Sequence, residues 1–233
     1  AFPRGFRELI DYAFNTKPEA NYHLNALLSV APWLVRYWWN SAPSRYGKAV
    51  SGALPMIEHC LAEHVPLIEA AGATHLLKRT GWIRAYRTEK SAQSTLQDAE
   101  RVRPFGLTVD VLDKAQLLER EPHLGDGVIG GVHYRDPANI SDPQGLSLAY
   151  KALFEKRGGR FLYGDARSLA NSQSGWTVNT QTGTVTARDV VVTLGPWAQE
   201  FASSLGYSLP MGVKRGYHMH YQTEVNAVLN HTV

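Results

Sequence analysis

Arg188-Asp-Val-Val-Val-Thr-Leu-Gly-Pro-Trp-Ala198 is the stretch on which the reading of this chain turns. Its three consecutive valines, Val190, Val191 and Val192, have the pattern of a strand buried on both faces. The expected strand, 189–194, runs into Gly195, and helical spacing takes over across 197–205. A strand that stops at glycine and turns into a helix lets bare backbone approach a nucleotide phosphate. The same turn serves plain packing in many α/β proteins, so the two readings stay open on these residues alone.

Around this turn the second half of the chain alternates short elements. Residues 144–156 predict an amphipathic helix with Leu146, Ala149, Leu153 and Phe154 inward, stopped by Gly158 and Gly159. A short strand is expected at 161–163, and a hairpin joins 176–178 to 184–186 around Thr182 and Gly183. A last long strand is expected over 213–221. Alternation there puts Val213, Arg215, Tyr217, Met219 and Tyr221 on one face, with Lys214, Gly216, His218 and His220 on the other.

The first half reads differently. Residues 5–73 carry apolar positions at helical spacing, among them Phe6, Leu9, Ile10, Phe14, Leu54, Ile57, Leu61 and Ile68. Pro55 and Pro66 should kink or divide the longer segment, and Gly72 should end it. Two short strands are expected around Thr80 and Gly81, then an exposed helix over 87–100, a strand at 107–112 and a helix at 114–120. Residues 130–134 form another strand, and 135–143 an irregular loop. The fold class is therefore α+β: one lobe with a mixed or antiparallel sheet covered by helices, and a β-rich appendage with one buried strand.

Composition limits the function classes. With 233 residues, 44% of them hydrophobic, the chain can bury a core in one or two domains. No run approaches the roughly 18 apolar residues of a membrane span. The opening residues lack a signal-peptide core, and the chain begins without methionine, as an internal piece of a longer protein would. The single Cys60 fits a reducing compartment. A net charge of +3 without a basic block argues against nucleic acid. The sequons at Asn139 and Asn230 are discounted in the absence of a secretion signal.

Motifs narrow it further. The strand–G-x-G-x-x-G–helix fingerprint of dinucleotide binding is absent. So are G-x-S-x-G, the P-loop and H-E-x-x-H. His218 and His220 point the same way on the expected strand, but no third ligand lies nearby, so no metal is assigned. Pro32-Trp-Leu-Val-Arg-Tyr-Trp-Trp39 reads either as core or as a surface for a membrane or redox partner.

The order of these pieces resembles the FAD-dependent D-amino-acid dehydrogenase and oxidase family, the bacterial dehydrogenases above all. The resemblance is carried by Thr80-Gly-Trp-Ile-Arg-Ala-Tyr-Arg-Thr-Glu89, by Leu117-Leu-Glu-Arg-Glu-Pro-His-Leu124, and by Gly130-Gly-Val-His-Tyr134 followed by Ser141-Asp-Pro143. Further along it is carried by Gly158-Gly-Arg-Phe-Leu-Tyr-Gly-Asp-Ala166 and by Lys214-Arg-Gly-Tyr-His218. It implies a substrate lobe at 1–157 (helical over 1–73, sheet and helices over 74–157), a partial FAD lobe at 158–206 and a strand returning to the substrate lobe over 207–233.

It also implies that Ala166, Thr193, Leu194, Gly195 and Trp197 contact FAD. An amino-acid substrate needs a guanidinium and a hydroxyl for its carboxylate; Arg215 and Tyr217 meet that need, although the family often has lysine where Arg215 stands. His133 and Tyr134 are expected to line the same pocket, and no catalytic base is assigned.

The implied reaction is oxidation of a D-amino acid to a 2-oxo acid and ammonia by hydride transfer to FAD, with electrons passed to a respiratory acceptor. The alternatives are a flavin amine oxidase of the glycine, sarcosine or hydroxyproline type, and a binding domain inactive without its flanks. The family's glycine fingerprint would precede residue 1 and its carboxy-terminal FAD segment would follow residue 233. The chain by itself is therefore expected to be inactive and to carry little or no FAD. A cytoplasmic location is expected, at most peripheral on the inner face of the membrane.

Overall fold

The computed structural model describes residues 24–173, 175–209, 211, 216, 219 and 227–233. The expected helix before residue 24 and nearly all of the expected strand at 213–221 lie outside them. The chain divides into two compact units, one of residues 1–60 and 162–216, the other of 61–161 and 217–233.

The second unit is built on an antiparallel three-stranded sheet. Its strands are β2 (Trp82–Tyr86), β3 (Val109–Asp113) and β4 (Gly130–Tyr134), with β4 in the centre. Every residue of β4 is buried, as a strand covered on both faces must be. Alternation sorts the side chains. Tyr86, Val109, Val132 and Tyr134 pack with Ala92 and Ala99 of α3 (Glu89–Val102). On the opposite face Ile83 and Leu112 pack with Leu117 of α4 (Lys114–Arg120) and with Val128.

The helix expected to be exposed over 87–100 thus needs correcting. Ala92, Thr95 and Ala99 form its buried stripe, and α3 and α4 pack on the two faces of the sheet. Thr88 and Asp113 start the two helices with reciprocal capping boxes to Ser91 and Gln116.

The strands on either side of Thr80 and Gly81 do not form a hairpin with each other. β1 (Leu77–Lys78) pairs with β5 (Asn139–Ile140), which lies inside the loop expected to be irregular, while β2 pairs with β4. Gly81 sits at φ +65°, and a Cβ there would meet the Tyr134 carbonyl and stand 2.8 Å from His133 Nε2. α5 (Pro143–Lys156) is capped by Asp142, whose carboxylate accepts from the Gly145 N–H at 2.9 Å. Leu146, Ala149 and Leu153 are half-buried, but Phe154 is 53% exposed, its ring folded over Gly159.

Among the long helices are α1 (Leu24–Asn40) and α2 (Pro43–Ala70). Pro55 and Pro66 do not divide α2: each proline removes one backbone bond while those beside it persist. α2 ends before Gly72, where the Gly72 and Ala73 N–H groups donate back to Glu69 and Ile68.

In the first unit, β6 (Ala170–Ser172), β7 (Gly175–Thr180) and β8 (Gly183–Ala187) form an antiparallel meander, with the expected β7–β8 turn. Residues 161–163 are not a strand; just after them the chain makes an isolated bridge, Gly164 to Thr180. Residues 189–194 are not a buried strand either. Among the described residues no strand pairs with them, and Val191 is 84% exposed. A valine run becomes a buried strand only where neighbouring strands satisfy its backbone, so the pattern alone could not decide it. α6 (Ala198–Ser204) follows, burying Phe201 and Ala202.

Candidate functional site

The first unit contains a cavity of about 500 Å³, lined by Asp165, Ala166, Arg167, Leu194, Trp197, Glu200, Phe201 and Ser204. One wall is a single 3₁₀ turn, Ala166–Ser168. The Asp165 carboxylate starts it, accepting the Arg167 N–H at 3.0 Å and Arg167 Nε at 3.2 Å. The turn is fixed to β7: Asp165 N donates to the Asn179 carbonyl at 3.1 Å, and Asn179 N to Ser168 Oγ at 2.9 Å. These contacts hold the Asp165 carboxyl below its ordinary range, chiefly through the Arg167 backbone N–H and then its guanidinium.

The opposite wall begins where Gly195, at φ +55°, turns the chain into the 3₁₀ turn Gly195–Trp197 and on into α6. Trp197 is 70% exposed, so its indole is available for stacking. Ala166, Leu194 and Trp197 are thus brought to one cavity, with Thr193 and Gly195 adjoining Leu194 in the chain. Two carboxylates, Asp165 and Glu200, stand there against one guanidinium. That balance disfavours a phosphate and suits the amino and hydroxyl donors of a nucleoside. The residues fit the adenosine end of a dinucleotide better than its pyrophosphate.

The second unit holds His133 and Tyr134, each 6% exposed. Neighbours on β4, they face opposite sides of the sheet. Tyr134 stacks on Trp82 with centroids 4.6 Å apart, and burial pushes its hydroxyl above the ordinary tyrosine range. His133 Nε2 lies 2.8 Å from the Thr80 carbonyl, and Nδ1 2.5 Å from Arg120. Nε2 can only donate to that carbonyl, which leaves Nδ1 to accept from the guanidinium, so the imidazole is neutral. Burial is the main reason its pKa is lowered, reinforced by His231 and Arg120 and opposed by the Thr80 carbonyl and Asp110.

Two features had no role in the sequence reading. Arg120 also donates through both terminal nitrogens to Asp110 Oδ2, at 3.1 Å each. Glu121, fully buried, receives the segment around His231. Glu121 stands in the E-P word that carries part of the family resemblance. Its partners are 109 and 110 positions away, a separation that no local pattern spans.

Arg215 and Tyr217 lie outside the described residues, as do His218 and His220. Among the described residues no three His, Cys, Asp or Glu side chains are grouped to hold a metal. None of the described helices is long and apolar enough to cross a membrane.

The family model described as FAD dependent oxidoreductase matches residues 29–232. D-amino acid dehydrogenase 1 of Mesorhizobium japonicum is 25% identical over 190 residues, covering 79% of this chain and 45% of that protein. The D-amino-acid oxidase of Bradyrhizobium diazoefficiens is 26% identical over 192 residues, covering 81% of this chain and 45% of that protein. The chain therefore spans less than half the length of these relatives. Among solved structures, glycine oxidase from Geobacillus kaustophilus superimposes with a TM-score of 0.56 at 26% identity, over 72% of this chain and 44% of that one. A match across most of its length, on an α+β fold shared with a glycine oxidase, places this chain in the FAD-dependent oxidoreductase family.

Proposed function

We propose that this chain is part of a flavoprotein that oxidises D-amino acids to 2-oxo acids and ammonia. The observation that carries the reading is the cavity that gathers Ala166, Leu194 and Trp197 in a chain matching the family over 29–232. When bound, FAD supplies the hydride acceptor for the substrate's α-hydrogen. The protein's part is to hold both partners. The 166–168 turn, Thr193, Leu194, Gly195 and Trp197 hold the adenosine end, while Arg215 and Tyr217 clamp the substrate carboxylate.

His133 and Tyr134 were expected to line the substrate pocket; buried on opposite faces of β4, they enter this reading as supports of the substrate lobe instead. In it the flavin passes its electrons to a respiratory acceptor, and the protein works in the cytoplasm, at most peripherally on the membrane. The chain by itself binds little FAD, because most donors for the pyrophosphate lie outside this cavity.

The test is anaerobic mixing of the full-length, FAD-loaded protein with a panel of D- and L-amino acids. Flavin bleaching by D-amino acids, with 2-oxo acid and ammonia formed in equal amounts, is expected. No bleaching by any D-amino acid defeats the reading. In the active protein, Arg215→Ala should lower kcat/KM about 30- to 150-fold, from loss of a charge-assisted pair worth about 2–3 kcal/mol. A second reading, an oxidase of glycine-type amines, is favoured by the likeness to glycine oxidase. Bleaching by glycine or sarcosine in preference to D-alanine would select it.

A further inference from the structure

Among the described residues, Glu121 is the one carboxylate with 0% exposure. It follows α4, and its N–H still closes the helix by donating to the Leu117 carbonyl at 2.9 Å. Among the described residues, the hydrogen-bond partners of its side chain come from one distant segment. Oε1 accepts from the His231 N–H at 2.5 Å and from His231 Nδ1 at 2.6 Å, and Oε2 accepts from the Asn230 N–H at 2.9 Å. Asn230 adds a side-chain bond to the Arg120 carbonyl at 2.8 Å. One residue on, the Thr232 carbonyl accepts from Ile83 N at 2.8 Å, and Thr232 pairs in parallel with Trp82 of β2.

β2 is an edge strand, since the sheet order is β2-β4-β3. An edge offers a row of backbone donors and acceptors, and a short segment can add to it at more than one register. From this geometry we infer that Glu121 is a positioning residue, a latch that sets the register at which segment 227–233 joins β2. Its two oxygens take two consecutive amides and one imidazole. A slip by one residue would put Asn230 or Thr232 where His231 stands, and neither offers an amide and a ring nitrogen to the same oxygen. It would also leave a buried carboxylate short of donors, which is the costly state for such a group. The segment is thereby fixed to the sheet at one point, whatever the substrate and whether or not a cofactor is bound.

A competing account is that His231 is held by packing alone, since its ring stands edge-on to His133 at 4.9 Å. Hydrogen exchange on the full-length protein separates the two. Glu121→Gln keeps the shape but gives up one acceptor for an NH₂ that must face a donor. It should speed exchange at the amides of Ile83, Asn230 and His231 about 10- to 100-fold while leaving the amides of β4 within about threefold of wild type. Unchanged exchange at the three amides, or equal acceleration in β4, overturns the latch.

Where Glu121→Gln does not fold, the His231 pair decides. His231→Leu should open the same three amides, and His231→Asn, which restores a side-chain donor, should bring them most of the way back. Equal exchange in those two variants means packing and overturns the inference.

Discussion

The two units spend similar side chains in opposite ways. In 61–161, Ile83, Leu117 and Val132 are 0% exposed, and helices α3 and α4 close both faces of the sheet. In 162–216, Val191 is 84% exposed and Trp197 70%, and Phe201 and Ala202 are the only buried apolar residues among those described. A strand flanked by its own helices completes its core locally. A strand of the doubly covered kind depends on neighbours that come from elsewhere in sequence, and the valines alone do not supply them. The first unit therefore presents turns and an open cavity, and the second puts its stability in a closed sheet.

The largest expected effect tests that division directly. Leu117→Ala should cost about 3–5 kcal/mol, because it deletes a fully buried side chain where sheet and helix leave little room to collapse. Urea unfolding followed by far-ultraviolet circular dichroism measures it. A cost below about 1 kcal/mol would mean that this core is as loose as the open unit.

Gly81→Ala should follow at about 2–4 kcal/mol, since the new methyl group meets the Tyr134 carbonyl and the His133 ring at a backbone angle that disfavours any Cβ. The same unfolding experiment reads it. An effect within about 0.5 kcal/mol would show that the turn relaxes, and that the sheet beside it is less closely packed than its burial indicates.

What was legible in the sequence follows the same division. Helix 114–120, strand 130–134 and the hairpin at 182–183 were readable, because capping residues, alternation and turn glycines act within a few positions. The buried face of α3 was hidden by its charged residues: its buried positions, Ala92, Thr95 and Ala99, are small, and the larger Leu96 and Val102 pack beside them only partly buried. The register of β1 with β5, more than 60 residues apart, has no local signal, nor does the Glu121–His231 contact. On the site side, Ala166, Leu194 and Trp197 line one cavity; the turn at Gly195 is marked by its own residues, whereas Ala166 rests on the family resemblance alone. Arg215 and Tyr217 rest on strand alternation and on the family resemblance.

A smaller effect sharpens the contrast through pH. Folding lowers the pKa of His133, so between the folded value and about 6.5 the unfolded chain binds more protons. Stability should therefore fall as pH drops from about 6.5 to the folded pKa. It should stay flat with respect to this group above that window and below it. The slope cannot exceed about 1.4 kcal/mol per pH unit for one proton. Urea midpoints at about pH 7.5 and pH 5 should differ less in His133→Gln than in the wild type. An identical pH dependence in the two would remove His133 from the account.

The smallest effect carries the sharpest contrast, because it falls on the residues from which the fold was read. Val191 belongs to a run whose composition says buried strand, yet its side chain is 84% exposed and its backbone is in no described sheet. Val191→Ala in this chain should change stability by less than about 0.5 kcal/mol, as for other exposed positions. Were 189–194 a strand covered on both faces, the same substitution would remove two buried methyl groups' worth of transfer energy and leave a cavity, about 1.5–3 kcal/mol. The two outcomes are far enough apart for urea titration to distinguish. A loss near 2 kcal/mol would mean that the valines are buried in this chain and that the open cavity wall beside Leu194 is not its resting form. A negligible loss, set beside a large one for Leu117→Ala, would show that the most strand-like sequence here contributes nothing to holding this chain together.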